Sequence, residues 1–254
     1  MLRAENVTLS YGAEPVLAGA SLAVEAGQFV SLVGPSGSGK SSLLRAVMGL
    51  QGISEGQIEI AGLRGTEVGI LFQDDALLPW RTAIENVSLG LRLNGRDRQA
   101  AVREAEAWLE RLGLTGLGGR YPRELSGGQR KRVALAQVLA LKPRLLLMDE
   151  PFASLDAIVR ARITQDVVDL VESEGIGVLL VTHDLEEAIA LSDVVYLLSN
   201  GPRAHISQRY SIPIPRPRDL VKARSHPKFA PLYERLWSDL SDVVDGLRRI
   251  RIAA

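Results

Sequence analysis

A glycine-rich loop between an apolar run and a helical segment restricts the fold of this chain more than any other feature. The loop, Gly34–Ser41, reads GPSGSGKS and fits the pattern G-x-x-x-x-G-K-[ST]. The run before it, Phe29–Val33, predicts a buried strand, and the segment after it, Ser41–Met48, predicts a helix that ends at Gly49. Glycines let a backbone curl until several N–H groups converge on one anion. The loop therefore predicts a phosphate site, and a glycine-rich turn that merely carries a lysine is the alternative.

Apolar strands that alternate with helices predict an α/β fold with a mainly parallel sheet. Leu145–Met148 and Val178–Val181 are two further buried runs, and the segment Asp156–Ser173 between them has a helical pattern. Nearer the N-terminus, Asn6–Leu9 and Ser21–Val24 are short β-type runs separated by glycine and proline. We expect these first runs to form an antiparallel β subdomain.

The middle of the chain has a helical pattern from Ala76 to Arg123. Asp97 is placed to cap a helix that Gly113 ends, and Ser126 followed by Gln129 is a capping box that begins another helix. The sequence therefore predicts a group of helices between the two sets of strands.

These elements predict one large domain with an insertion and a tail. A helical subdomain, about residues 76–140, is expected to be inserted in a domain of residues 1–218. Residues 211–219, SIPIPRPRD, are rich in proline and predict an extended linker or an edge strand. Residues 219–254 are expected to form a short helical tail.

Composition excludes several classes of protein. The 254 residues carry 30 basic and 30 acidic side chains, and this net charge of zero argues against a nucleic-acid binder. Without cysteine, neither a disulfide nor a thiolate metal site is possible. No apolar run approaches the ~20 residues of a membrane span, and the N-terminus lacks a signal-peptide pattern. We expect a soluble cytosolic protein, so that any membrane role comes through a partner.

Polar side chains follow three of the predicted strands. Asp149 is placed to hold Mg²⁺, and Glu150 beside it to orient or deprotonate an attacking water. His183 follows a later buried strand, and we expect it near a phosphate because ligands gather at the carboxyl ends of parallel strands. Gln73 follows the strand Val68–Phe72 at the same edge. The alternatives are solvated loop residues for Gln73 and the two acids, and a buried structural role for the histidine.

The stretch LSGGQ, Leu125–Gln129, begins a helix whose first turn lacks acids. Helix N-termini favour acidic side chains, yet Arg130, Lys131 and Arg132 follow a glycine pair here. A bare, positive helix start is suited to bind an anion through its backbone N–H groups. We interpret the three basic side chains themselves as contributing to the local potential or to salt bridges.

In this order, these stretches resemble the ATP-binding subunit of ABC transporters over nearly the whole chain. The resemblance implies a P-loop NTPase core, ATP hydrolysis, and ATP and Mg²⁺ as cofactors. It implies Glu150, His183 and Gln73 in catalysis and Ser41, Gln73 and Asp149 at the metal. The nucleotide-binding residues that it implies are Tyr11, Gly34, Pro35, Ser36, Gly37, Ser38, Gly39, Lys40, Ser41, Ser42, Ser126, Gly127, Gly128 and Asp156.

The resemblance also implies a role for several of these residues. Tyr11 would stack on adenine and Ser42 would assist at the α-phosphate. The LSGGQ helix would meet the γ-phosphate of ATP bound to the other subunit of a head-to-tail pair. Asp156, in the triplet Ser154–Asp156, would couple the two halves of that pair.

A finer resemblance concerns Asp74–Leu91, DDALLPWRTAIENVSLGL, which is similar to the branch of nitrate, sulfonate and taurine importers. It implies a second ATPase subunit, identical or paralogous, and a transmembrane permease that docks near Leu78, Trp80 and Arg81. A solute-binding protein would take part indirectly, and the chain would lie at the cytoplasmic face of the membrane as a peripheral subunit. Packing of Trp80 on its own subdomain is the alternative for that residue.

Two other functions remain as alternatives. A non-transport ABC ATPase acting on nucleic acid or ribosomes would usually show a long coiled coil, two cassettes or a basic surplus, and this chain shows none of them. A small-molecule kinase would share the phosphate loop but has no use for LSGGQ.

Overall fold

The computed structural model describes residues 1–12, 14–63, 67–153 and 155–252, with side chains up to residue 244. The chain divides into two units. One consists of Met1–Gly62 and Val171–Ala254, and the other of Leu63–Leu170. Within the described part of the chain, none of the helices combines the length and the apolar character that crossing a membrane would require.

The first unit begins with a three-stranded antiparallel sheet of β1 (Leu2–Tyr11), β2 (Glu14–Val24) and β4 (Glu55–Ile60). β1 lies between the other two strands, in the order β2-β1-β4. The N-terminal half of β1 alternates between buried and exposed side chains, as expected of a strand with one face on a core. This sheet confirms the predicted antiparallel β subdomain.

A second set of strands in the same unit carries the glycine-rich loop. β3 (Phe29–Val33) pairs in parallel with β7 (Gly177–Val181) and with β8 (Val194–Leu198), and β8 pairs antiparallel with β9 (Ile206–Ser211). Every residue of β3, β7 and β8 is buried, which explains why these strands appear in the sequence as continuous apolar runs. The loop after β3 leads into α1 (Lys40–Val47).

The Asp193 carboxylate is one of the groups that hold the chain after β9 to this core. Asp193 accepts hydrogen bonds from Phe29 N–H (2.8 Å) and from Arg216 (2.6 Å) and Arg218 (2.7 Å). Burial alone raises the pKa of Asp193, but the hydrogen bonds from Phe29 and Arg218 and the two guanidinium charges lower it overall. The proline-rich segment is thus an irregular linker that follows β9.

Two helices form the tail. The linker after β9 leads to α7 (Leu220–Arg224) and α8 (Phe229–Ile252), whereas α6 (Leu185–Leu191) lies between β7 and β8 in the chain. α8 runs for 24 residues, and its one proline, Pro231, lies in the first turn, where proline is tolerated. Phe229 and Leu236 of α8 belong to the same buried cluster as Ala188 and Ile189 of α6.

The second unit combines a parallel strand pair with helices. β5 (Val68–Leu71) pairs with β6 (Leu145–Asp149), and the helices are α2 (Ala83–Leu93), α3 (Arg98–Arg111), α4 (Gly127–Leu139) and the start of α5 (Ala157–Glu174). The predicted caps are confirmed: Asp97 accepts from Gln99 N–H and Ala100 N–H at the start of α3, and Ser126 caps α4. Residues 112–126, between α3 and α4, are mostly irregular.

Candidate functional site

The glycine-rich loop in the first unit has the shape of an anion cradle. Gly37 (φ 77°) and Gly39 (φ 94°) adopt left-handed backbone angles that favour glycine. A Cβ on Gly34 would lie 2.9 Å from the Leu198 carbonyl oxygen, so that glycine is required for close packing. A Cβ on Gly37 would meet nothing within 4 Å, so the opposite side of the loop is open. The loop is thus packed on one side and accessible on the other.

Two side chains inside the loop offer donors. Lys40 is buried, and its Nζ donates to the carbonyl oxygens of Gly34 (2.9 Å) and Pro35 (2.7 Å). The Ser38 hydroxyl is fully buried and has no hydrogen-bond partner among the described residues. A buried polar atom without a partner needs an explanation, and a phosphate oxygen would supply an acceptor. Ser41 and Ser42, half-buried, follow in the first turn of α1.

Tyr11 lies beside this loop at the end of β1. Its hydroxyl donates to Gln51 Oε1 (2.6 Å) and lies 3.2 Å from Ser42 Oγ. The residue remains 56% exposed. Because the hydroxyl is fixed and the ring is accessible, Tyr11 has the geometry of a platform on which a flat ring can stack.

His183 leaves the sheet at the same edge as the glycine-rich loop. Leu32 of β3 is paired with Val181 of β7, and Thr182 N–H donates to the Leu32 carbonyl at 3.2 Å. Gly34 and His183 each follow two residues after this pair. His183 is exposed, so the interpretation of a buried structural histidine is wrong.

The second unit brings three predicted side chains to one edge of its strand pair. Leu71 of β5 is paired with Met148 of β6, so Gln73 and the two acids Asp149 and Glu150 follow adjacent strand ends. Glu150 has a φ of 43°, a left-handed angle that is uncommon for a residue with a side chain. Such backbone strain is concentrated at functional sites, which marks Glu150 as a candidate functional residue.

The LSGGQ helix, α4, begins with the predicted capping box. Ser126 Oγ accepts from Gln129 N–H (3.3 Å), and Gln129 Oε1 accepts from Ser126 N–H (2.8 Å). No acid occupies the first turn. A Cβ on Gly128 would lie 2.8 Å from Val159 Cγ1 of α5, whereas a Cβ on Gly127 would meet only the end of Arg130, at 3.8 Å.

The basic residues after LSGGQ form ion pairs. This confirms the interpretation that they serve salt bridges. Arg130 and Lys131 contact Asp75, and Arg132 contacts Asp166. Asp156 is exposed, and its Oδ1 accepts from Val159 N–H (3.1 Å) at the start of α5. Ser154 lies outside the described residues.

Asn86 is a buried side chain that sequence reasoning missed. Its Nδ2 donates to the carbonyl oxygens of Leu78 (3.2 Å), Arg81 (3.1 Å) and Thr82 (3.0 Å), and its Oδ1 accepts from Leu78 N–H (2.8 Å). This side chain fixes the turn that presents Trp80, which is 70% exposed. The available signal was an asparagine at an apolar-stripe position of α2.

No group of three or more His, Cys, Asp or Glu side chains suited to a metal ion occurs among the residues with described side chains. A hydroxyl at Ser41, a carboxylate at Asp149 and an amide at Gln73 are hard oxygen donors, one or two of which Mg²⁺ uses together with phosphate oxygens and water. The donor chemistry therefore fits Mg²⁺ that arrives with a nucleotide.

The chain is similar to several known proteins. The family model "ABC transporter" matches residues 17–153. A taurine import ATP-binding protein of Escherichia coli O157:H7 is 42% identical over 206 residues, 80% of this chain and 81% of that protein. A nitrate import ATP-binding protein of Synechococcus elongatus is 40% identical over 222 residues, 85% of this chain.

The chain spans about a third of the length of two relatives, a nitrate and a bicarbonate transport protein. It covers 34% of the nitrate protein, and 37% of a bicarbonate transport ATP-binding protein of Synechocystis that is 40% identical over 252 residues. Among solved structures, a dimeric bacterial ABC transporter cassette has a TM-score of 0.73 and 32% identity, over 84% of this chain and 99% of that one. A second cassette structure, a post-hydrolysis state bound to ADP and Pi, has a TM-score of 0.74.

Proposed function

This chain belongs to the ABC transporter family as an ATP-binding subunit with ATPase activity, and on that premise we propose that it powers an importer through a separate membrane permease. The observation that carries the proposal is the presence in one chain of two glycine-rich helix starts, the phosphate loop before α1 and LSGGQ at α4. The non-transport alternative has no observation in its favour.

In this proposal, the phosphate loop binds the nucleotide of its own subunit. Backbone N–H groups and the Lys40 ammonium hold phosphate oxygens, and the unpartnered Ser38 hydroxyl supports the presence of a further phosphate contact. Tyr11 stacks on adenine. Ser41, Asp149 and Gln73 are the residues that would hold Mg²⁺, which would neutralise phosphate charge when bound.

Hydrolysis is assigned to side chains at the strand ends. Glu150 orients or deprotonates the attacking water, and His183 and Gln73 position it. The left-handed backbone of Glu150 supports this assignment, because strained backbone angles are concentrated at functional sites. Ser126–Gly128 of a second subunit, with Asp156, closes the site from the other side of the dimer.

A Glu150→Gln variant tests the catalytic assignment. It should bind ATP and Mg²⁺ nearly as the unaltered protein does and hydrolyse ATP ~10²–10⁴-fold more slowly, the usual contribution of a general base or of water positioning. Nucleotide binding is measured by fluorescence titration and hydrolysis by phosphate release. Unaltered turnover in this variant would refute the role of Glu150.

The permease is proposed to dock on the turn around Leu78, Trp80 and Arg81. Trp80 is a large apolar side chain that remains 70% exposed on a turn held by Asn86, and exposed aromatic anchors often dominate interface energies. Arg81 would hydrogen-bond the C-terminal end of a permease helix. A peripheral location at the cytoplasmic face of the membrane follows from this docking.

Substitution of Trp80 by alanine should abolish assembly with the permease and leave melting temperature and ATP binding unchanged. Leu93→Ala is the matched control, since Leu93 is 78% exposed at the other end of α2. Co-purification from the native membrane and thermal melting are compared for both variants. A Trp80→Ala protein that melts several degrees lower and still co-purifies with its permease would contradict the docking site.

The transported solute is proposed to be nitrate, a sulfonate or taurine, or a related small solute. This proposal rests on the relatives that carry nitrate, taurine and bicarbonate in their names. A solute-binding protein would deliver the solute to the permease. Mass spectrometry of the purified complex identifies this protein, and binding assays with candidate solutes then identify the solute.

A further inference from the structure

Lys131 is a lysine without any exposure to solvent. It lies in the second turn of α4, and its side chain is 0% exposed. Lysine is almost never fully buried unless its charge is paired. The buried ammonium therefore needs contacts that compensate its charge.

All three protons of the ammonium are used on one loop. Lys131 Nζ donates to the carbonyl oxygens of Phe72 (3.2 Å) and Gln73 (3.1 Å) and contacts Asp75 Oδ1 at 3.0 Å. Phe72–Asp75 follows β5 and has neither helical nor strand structure. The side chains of Phe72 and Gln73 are exposed, so their backbone carbonyls are the groups through which the loop is held.

A second base completes the connection. Arg130 Nε donates to Asp75 Oδ2 (3.3 Å), and Arg130 Nη1 donates to the carbonyl oxygen of Leu125 (2.8 Å), the residue before the N-cap of α4. Asp75 thus binds one base with each oxygen. The loop after β5 and the start of α4 are thus joined by four polar contacts, of which Lys131 makes three.

We propose that Lys131 is a positioning residue for hydrolysis, which fixes the backbone of Gln73 to the Ser126–Gly128 helix start so that the two form one rigid element, with Gln73 at the nucleotide of its own subunit and the helix start at the nucleotide of the partner. This inference rests on the proposed function, in which Gln73 contacts Mg²⁺ and water and the helix start contacts the γ-phosphate of the other subunit. Lys131 touches neither group and acts through the Gln73 backbone.

The test uses two variants of the full-length protein. Lys131→Met keeps the length of the side chain and removes the ammonium, while Arg130 still pairs with Asp75. Lys131→Met combined with Asp75→Asn removes both charges and leaves no unpaired buried ion, so this variant carries the test if the single variant folds poorly.

Arg132→Met is the matched control. Arg132 is the next residue, and its guanidinium contacts Asp166 (2.8 Å) and the Leu112 carbonyl oxygen (2.8 Å) but no residue of the loop. It reports the effect of losing an ion pair on α4 without release of Gln73.

Both Lys131 variants should bind ATP within about 2-fold of the unaltered protein, because the phosphate loop lies in the other unit. Their kcat should fall about 10- to 10²-fold, as expected from a misplacement of about 1 Å, and the Mg²⁺ concentration for half-maximal hydrolysis should rise. Backbone amides of residues 72–76 should exchange hydrogen faster. Arg132→Met should change the melting temperature only.

Unaltered kcat, Mg²⁺ dependence and amide exchange in the folded double variant would overturn the inference and leave Lys131 a purely structural residue. Failure of the proposed function is distinguishable, since it appears as an unaltered protein that does not hydrolyse ATP or as a Glu150→Gln variant that does. Amide exchange of residues 72–76 still reports the connection in that case.

Discussion

Two helices of the second unit begin with the same hydrogen-bonded box and differ by one charge. In α2, Thr82 N–H donates to Glu85 Oε2 at 2.8 Å, and in α4, Ser126 N–H donates to Gln129 Oε1 at 2.8 Å. The return bonds to the hydroxyl oxygens, 3.4 Å and 3.3 Å, are also alike. The box itself therefore does not distinguish the two helix starts.

The charge does distinguish them. Glu85 has a lowered pKa because it accepts the Thr82 backbone N–H and, to a smaller degree, the Thr82 hydroxyl, so its carboxylate stays ionised and offsets the positive end of α2. The first turn of α4 has no acid, and its neutral Gln129 satisfies the same donor. We infer that α4 keeps its positive end available for an external anion, which in the proposed function is the partner subunit's nucleotide.

The largest expected effect comes from placing an acid at the very start of α4. Gly127→Asp fits the structure, since a Cβ there meets only the end of Arg130, at 3.8 Å. We expect hydrolysis and ATP-dependent dimerisation to fall at least ~10²-fold, because like charges about 4 Å apart repel by ~4 kcal/mol near a protein surface. ATP binding to the monomer should persist, and the melting temperature should not fall.

Sedimentation with and without ATP measures the dimerisation of this variant, and phosphate release measures its turnover. Gly128 is a poorer position for the experiment, because a Cβ there would lie 2.8 Å from Val159 and disturb packing as well. Intact ATPase activity in Gly127→Asp would show that the start of α4 does not face a phosphate.

A smaller effect is expected when the box of α4 is converted into that of α2. Gln129→Glu keeps the hydrogen bond to Ser126 N–H and adds one negative charge. Stability should rise by about 0.3–1 kcal/mol, while hydrolysis should slow ~10-fold. A variant that is stabilised and still hydrolyses ATP at the original rate would show that the absence of an acid has no functional meaning.

Local signals in the sequence predicted the starts of α3 and α4 and three of the buried strands. Asp97 and Ser126 were identified as caps because a capping side chain bonds within three residues of itself. The apolar runs of β3, β6 and β7 were predicted because strands buried on both faces need no alternation. Loop glycines and strand-end acids were predicted for the same reason, that each motif is contiguous.

The sequence does not predict long-range contacts. Its pattern shows Lys131 only as part of a basic run, whereas the burial of Lys131 depends on the Phe72 and Gln73 carbonyls, which are 59 and 58 residues away. The turn-holding role of Asn86 depends on backbone carbonyls, which carry no side-chain signature. The pattern between Ala76 and Arg123 overestimated the helical content, since residues 112–121 form turns.

The smallest expected effect is the converse change in α2. Glu85→Gln should leave ATP hydrolysis unaltered, since this helix start has no proposed ligand, and should lower the melting temperature by about 1–4 °C at neutral pH. The estimate follows from 0.3–1 kcal/mol for a charge at a helix end and 2–4 °C per kcal/mol in a protein of this size.

This difference should depend on pH in one direction. A carboxylate whose pKa is lowered by folding contributes stability above its unfolded value, and that stability is lost as the pH falls through the folded value. The gap in melting temperature between the unaltered protein and Glu85→Gln should therefore be full at pH 7 and shrink below the ordinary glutamate pKa of 4.5. Calorimetry of both proteins across this range measures it. A gap that is independent of pH would assign the effect to hydrogen-bond geometry, and reduced hydrolysis in Glu85→Gln would mean that charge does not separate the two helix starts.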